Sequence, residues 1–278
     1  MNQDTFWIAL NIGNSRLHWA CFAGQFLKQT WEAPHLLGME AENLVASFYK
    51  NWPDLSPGLA KQLSNASQQL PELWLASVVP AQTVIWQSYP KVKIITLNQV
   101  PLKEVYLNLG VDRALAVWGA GEIWGWPVLV IDAGTALTFT GADQNHRLVG
   151  GAILPGLGLQ VRSLAEATAG LPLIELSDSL PTRWAISTAE AIRSGTIYTL
   201  LAGIHDFVTT WYQQFPESQI VITGGDRLLL LNYLKAWLAQ KSQTPEWLFS
   251  LIDDSQVIFK GIQFLRQSYQ EEAQKLIS

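Results

Sequence analysis

A chain of 278 residues, about half of them apolar, is long enough for one large domain or two of ordinary size and can bury a substantial core. Its net charge of −5, with eighteen Lys and Arg scattered along the chain, argues against a nucleic-acid partner, which would need a basic stripe. The lone Cys21 cannot form an internal disulfide, no Cys/His spacing matches a zinc site, and no apolar run approaches the roughly 20 residues of a membrane span.

The start, "MNQDTFWIAL", carries an acidic residue and too short an apolar run for a signal peptide, so the expected location is the cytoplasm, with no membrane partner. Strands are predicted near 6–11, 16–22 and 25–31, then a helix near 40–51. A strand at 73–78, a short helix near 81–89, a strand at 92–97 and a helix from Val111 to about Ile123 complete the first half. The second half begins again with strands near 128–132, 136–141 and 147–154, a helix at 157–167 and a long helix over 185–212. A strand at 219–223, a helix over 227–240 and a terminal helix near 255–275 follow. Segments 53–72 and 168–184, rich in Pro, Ser and Leu, read as loops. The thirteen Trp are dispersed and read as core and interface residues. Cys21 lies in an apolar strand and reads as core.

The two halves repeat one another. "IALNIGNSRLHWACF" lies over "VLVIDAGTALTFTGA" without a gap, which sets Asn11 on Asp132, Gly13 on Gly134 and Ser15 on Ala136. Each copy is an apolar strand ending in an Asx residue, a Gly turn and a returning strand, the hairpin that several ATPases use to hold phosphates. Such a repeat suggests a duplicated domain. Gly134 permits close approach of backbone to phosphate, successive N–H groups in the turn form an anion-binding concavity, and Thr135 adds a hydroxyl. Asp132 repels phosphate, so its sensible role is to hold a cation. "GGAILPGLGL" leads into a helix N-terminus, which attracts anions, and "VITGGD" ends a strand with Gly224-Gly225, where backbone can lie flat against an adenine or ribose. In "LGVDRALAVWGA", Asp112 and Arg113 fall in the first turn of a helix. A carboxylate beside a guanidinium can take a proton from a hydroxyl while the Arg grips an acidic substrate.

The motifs "NIGNS", "GVDR", "DAGTALTF", "GGAILPG", "STAEAIRSG" and "ITGGD", in this order over residues 8–226, resemble those of the type III pantothenate kinases. These belong to the actin-like and sugar-kinase superfamily and are related in sequence to Bvg accessory factors. The resemblance implies an α/β fold of duplicated actin-like ATPase (ribonuclease H-like) domains, with mixed five-stranded sheets flanked by helices. The division expected is residues 1–115 and 116–278. It implies ATP-dependent phosphorylation of pantothenate to 4′-phosphopantothenate, the first step of coenzyme A biosynthesis.

By position, it implies that Asn11, Ile12, Gly13, Asn14, Ser15, Arg16, Leu17 and His18 form the first phosphate-binding hairpin, and that Thr135 contacts ATP. Gly110, Val111, Asp112 and Arg113 would line the pantothenate pocket, with Asp112 the general base and Arg113 on the substrate carboxylate. Asp132 would hold a monovalent cation, potassium or ammonium, and magnesium would come with ATP. Thr188 would touch pantothenate, from the neighbouring subunit of a homodimer. Two departures stand out. The family's first hairpin begins with Asp where this chain has Asn11, a poorer ligand for a hard cation. The family's Tyr seven residues before the glycine is replaced by Lys103, leaving Tyr106 as the candidate. Asn11 keeps a second reading open, a non-catalytic nucleotide-binding or regulatory homologue. A third is a different kinase or phosphatase of the superfamily acting on a sugar or polyphosphate; Arg113 opposes a neutral sugar, since a fixed guanidinium best matches a carboxylate or phosphate.

Overall fold

The computed structural model describes residues 6–36, 45, 70–241 and 244–277. The helix expected near 40–51 (Val45 apart) and most of the loop expected over 53–72 lie outside the described residues. The chain divides into two compact units. One comprises residues within 1–101, 106–119 and 258–278, and the other 102–105 and 120–257. The expected division at 115/116 places the last helix in the second half. By compactness the units change at 119/120, and residues from 258 onward fall with the first unit.

The first unit contains β1 (Phe6–Ile12), β2 (Arg16–Ala23), β3 (Phe26–Pro34), β4 (Glu72–Ser77) and β5 (Val92–Ile94). Its helices are α1 (Pro80–Trp86), α2 (Val111–Trp124, as far as residue 119) and α6 (Val257–Ile277, from residue 258). The sheet order is β3-β2-β1-β4-β5; β1, β2 and β3 are antiparallel and β4 and β5 add in parallel. After Phe6, every residue of β1 is buried, as a central strand covered on both faces requires. By contrast, β3 alternates half-buried and exposed residues along its length, the pattern of an edge strand with one wet face. Cys21 is fully buried, and burial pushes its thiol up to about 12, so the core reading holds. Helix α6 is fastened to this sheet by Arg266, whose guanidinium pairs with Glu72 Oε2 at 3.0 Å and lies 4.8 Å over the Trp7 ring.

The second unit contains β6 (Val128–Ala133), β7 (Ala136–Ala142), β8 (Leu148–Pro155), β9 (Gln219–Thr223) and β10 (Leu251–Asp253). Its helices are α3 (Leu157–Ala167), α4 (Thr188–Gln214) and α5 (Arg227–Leu238). The order β8-β7-β6-β9-β10 reproduces that of the first sheet. Both are mixed five-stranded sheets flanked by helices. The short β10, after a 3-10 turn at Glu246–Ser250, was not foreseen; three residues hold too little alternation to signal a strand. Helix α4 starts three residues later than expected, because Ser187 caps it and accepts from Glu190 N at 3.4 Å. Trp237 and Trp247 are buried in this core and Trp7, Trp19 and Trp86 in the first unit's, as the core reading of the tryptophans expects.

The repeat is real but its alignment needs a correction at the turn. In the first hairpin Ile12 pairs with Leu17, and Gly13 N donates to Arg16 O. In the second, Ala133 pairs with Leu137, and Gly134 N donates to Ala136 O. The first turn is therefore one residue longer. Asn11 and Asp132 correspond, as do Gly13 and Gly134, but Arg16 rather than Ser15 takes the place of Ala136.

Candidate active site

In the first unit the β1–β2 hairpin presents only part of the stretch from Asn11 to His18. Ile12 and Leu17 are buried in the core, so their side chains are out of a ligand's reach. Asn14, Ser15 and Arg16 form the exposed tip. Asn11, 5% exposed, faces His18 across the ladder, and its Oδ1 is a buried acceptor with no donor. An acceptor in that state costs about 1–3 kcal/mol and suits a cation or water better than a phosphate oxygen, itself an acceptor.

Two residues that sequence reasoning missed support this turn. His35 Nε2 lies 2.8 Å from Gly13 O, so that nitrogen carries the proton. Glu32 accepts from His18 Nδ1 at 3.3 Å and from Arg16 Nη1 at 3.4 Å. Burial lowers the His18 pKa from its ordinary value, with Glu32 pulling the other way. Neither His35 nor Glu32 stands in a motif; their roles depend on the β2–β3 pairing that carries the chain back past the turn.

Farther along the same unit, Gly110 O accepts from Ala114 N at 3.1 Å and opens α2. Val111 is buried, so only its backbone faces outward. A Cβ on Gly110 would stand 2.5 Å from Asp112 Oδ1; the carboxylate folds back onto the space that glycine leaves. Asp112 Oδ1 also accepts from Arg113 N at 2.7 Å. Burial raises the Asp112 pKa above the ordinary aspartate value, and the Arg113 amide and guanidinium offset part of the rise. A carboxyl so placed is a stronger base than an exposed one. Arg113 Nη1 donates to the Tyr106 hydroxyl oxygen at 2.9 Å, so Tyr106, Asp112 and Arg113 form one constellation. Lys103, which holds the family's tyrosine position by count, belongs to the other unit and bridges to Arg147.

In the second unit two backbone segments, at Gly156 and at Gly224 to Asp226, converge on the β6–β7 turn. Gly156, before α3, donates its N–H to Thr135 O at 2.9 Å, and a Cβ there would stand 2.0 Å from Gly134 O. Gly224, at φ +92°, sits where a Cβ would meet Ala133 O at 2.4 Å and Asp132 Oδ1 at 2.5 Å; left-handed backbone and missing side chain are both needed. Asp226 N donates to Ala133 O at 2.9 Å. Asp132 Oδ1 and Ala133 O thus face the same space beside Gly224, and oxygen is the donor type that hard cations take. No group of three or more His, Cys, Asp or Glu able to hold a metal occurs among the described residues. Thr188 is exposed at the first position of α4.

Residues 7–210 match the family model for type III pantothenate kinase. A type III pantothenate kinase of Nostoc sp. is 49% identical over 267 residues, covering 92% of this chain and 93% of the relative. One of Synechocystis sp. is 45% identical over 258 residues, with 92% and 88% covered. Among solved structures, a Campylobacter jejuni protein described as of the Baf family superposes with a TM-score of 0.61 at 18% identity, covering 95% of this chain and 99% of that one. The activator of 2-hydroxyisocaproyl-CoA dehydratase from Clostridium difficile, with bound ADPNP, gives 0.53 at 12% identity, with 99% and 98% covered. These structural likenesses show the fold, the duplicated α/β architecture of the actin-like ATPases.

Proposed function

The chain belongs to the type III pantothenate kinase family, and on that premise we propose that it transfers the γ-phosphoryl group of ATP to the hydroxyl of pantothenate, giving 4′-phosphopantothenate and ADP. The observation that carries this reading is the constellation at the start of α2: a buried carboxyl of raised pKa on Asp112, beside an Arg113 that Tyr106 steadies. Asp112 takes the hydroxyl proton as the oxygen attacks phosphorus. Arg113 and Tyr106 grip the substrate carboxylate, a match for a fixed guanidinium. Gly110 and Val111 contribute backbone to the same pocket.

Each hairpin is a phosphate site of its own, the first through the backbone of Gly13 to Arg16 and through His18, the second through the Thr135 hydroxyl. Asp132 would hold potassium or ammonium, and magnesium would enter with ATP. Bound cations neutralise charge on the transferring phosphoryl group, which is most of what such catalysis requires. Thr188 contacts pantothenate across a homodimer. Its surroundings support an interface, since Trp184 and Ile186 just before it are 90% and 106% exposed. We place the enzyme in the cytoplasm, where ATP is available; among the described residues no helix is long and apolar enough to cross a membrane.

One observation favours a second reading. The neutral Asn11 with its undonated oxygen would suit a homologue that binds nucleotide with reduced or lost turnover. Pantothenate-dependent ADP release by the purified protein separates the two, and its absence in every cation mixture would favour the second.

A further inference from the structure

Gly13, in the turn of the first hairpin, is bounded on every side by its own unit. Its N–H donates to Arg16 O at 3.1 Å, and its carbonyl accepts from His35 Nε2 at 2.8 Å. A Cβ added at Gly13 would stand 3.7 Å from His18 Nε2, so the His18 ring borders its α-carbon. The residue before it is fixed as well, since Ile12 O accepts from Val78 N at 3.1 Å.

His35 is itself anchored. Its neighbour Leu36 donates its N–H to Gln82 Oε1 at 3.0 Å, and Leu36 O accepts from Gln82 Nε2 at 2.8 Å. Gln82 lies on α1 and is 6% exposed, so one buried amide clamps both backbone groups of Leu36. The bond from His35 to Gly13 therefore starts from a fixed point of the fold.

A carbonyl held in this way dictates the direction of the next amide. The Gly13–Asn14 peptide is planar and trans, so Gly13 C=O and Asn14 N–H point to opposite sides. With the oxygen turned to His35, the Asn14 N–H turns away from it, at the exposed tip of the hairpin. Glycine's conformational freedom would otherwise let this peptide turn over. That rotation would put a carbonyl oxygen where the N–H now stands, and an acceptor repels the phosphate that a donor binds.

We infer that His35 is a positioning residue for nucleotide binding: by holding Gly13 O it locks the Gly13–Asn14 peptide with the Asn14 N–H presented to a phosphate oxygen of ATP. This rests on the reading of the β1–β2 hairpin as a phosphate site. The role needs a donor at the Nε2 position, which Gln supplies at similar reach and Met, of similar length, does not.

The test is ATP affinity by titration calorimetry on the full chain without pantothenate, for the wild type, His35→Gln and His35→Met. His35→Met should raise the ATP Kd by about five- to tenfold, the size of one lost hydrogen bond. His35→Gln should stay close to the wild type. In turnover, KM for ATP should rise in His35→Met while KM for pantothenate stays unchanged, a split that general loss of stability would not produce. Should His35→Met not fold, His35→Ala, which adds no bulk to accommodate, carries the same expectation. Wild-type affinity in a folded variant without the donor, or equal loss in His35→Gln, overturns the inference. Amide NMR of the wild type distinguishes that result from failure of the site: the Asn14 amide proton should move downfield as ATP is added. A proton that stays in place refutes the phosphate reading of the hairpin and the inference with it. One that moves, beside wild-type affinity in His35→Met, refutes the role of His35 alone. Neither measurement needs an acceptor substrate, so the outcome for His35 stands whether or not pantothenate is phosphorylated.

Discussion

Substituting Gly156→Ala would test how far nucleotide binding depends on the contact between α3 and the second hairpin. The added Cβ would stand 2.0 Å from Gly134 O and 2.8 Å from Thr135 O. Both are backbone atoms, so no side-chain rotation relieves the clash. Restoring an ordinary contact of 3.4 Å to Gly134 O moves the start of α3 away by about 1.4 Å. The Gly156 N–H bond to Thr135 O, now 2.9 Å, would then pass out of hydrogen-bonding range. One lost hydrogen bond contributes about 1 kcal/mol and overpacking about 1–3 kcal/mol. At roughly 2–4 °C per kcal/mol for a chain of this size, Tm should fall by about 5–15 °C. Displacement of a positioning element by about 1 Å costs on the order of 10² in rate, so kcat/KM for ATP should fall by about that factor. Thermal unfolding followed by circular dichroism, with steady-state kinetics in ATP, measures both. A folded variant with wild-type kinetics in ATP would show that the approach of α3 to the turn has no bearing on phosphate binding.

Asp112→Asn should lower kcat by roughly 10² to 10⁴, the range for loss of a general base, and unchanged turnover would remove Asp112 from the mechanism. Because burial raises the folded-state pKa of Asp112, this carboxyl's contribution to stability is present below its unfolded pKa and lost as pH rises through the folded value. The same substitution should therefore raise Tm at pH 7 but not at low pH, and a Tm lowered at pH 7 would contradict the burial argument. The acid limb of kcat/KM should lie above the ordinary aspartate value of 3.8; a limb at or below it refutes the assignment. Activity should rise with potassium or ammonium and stay low in sodium, and equal rates in the three salts would remove the cation from Asp132. Asn11→Asp should lower the magnesium concentration for half-maximal rate and weaken ATP binding in chelator, since a carboxylate buried where no donor reaches Oδ1 needs a cation to offset its charge. Superimposable magnesium curves would place Asn11 outside the metal's coordination sphere.

Both hairpins were legible because each joins an apolar run to a Gly turn, a pattern local enough to survive without tertiary information. The paired order of strands and helices carried the duplication, and "GVDR" carried the α2 constellation. What escaped depended on neighbours distant in sequence. The first turn's extra residue emerges only from the pairing of Ile12 with Leu17 against that of Ala133 with Leu137. His35 reaches Gly13 across 22 residues, with no periodicity to mark it. The clash that denies Gly156 a side chain exists only once β6, β7 and α3 are packed. Tyr106 lay three residues from the family's position, and its hydroxyl contact with Arg113 supports the substitution of one tyrosine site for another.

The most direct measurement is ADP release by the purified chain with ATP, magnesium and potassium, with and without pantothenate, the product being identified by mass spectrometry. Pantothenate-dependent release of ADP is expected, with one equivalent of 4′-phosphopantothenate per ADP. ATP binding without pantothenate-dependent turnover, across magnesium, manganese, potassium and ammonium, would contradict it.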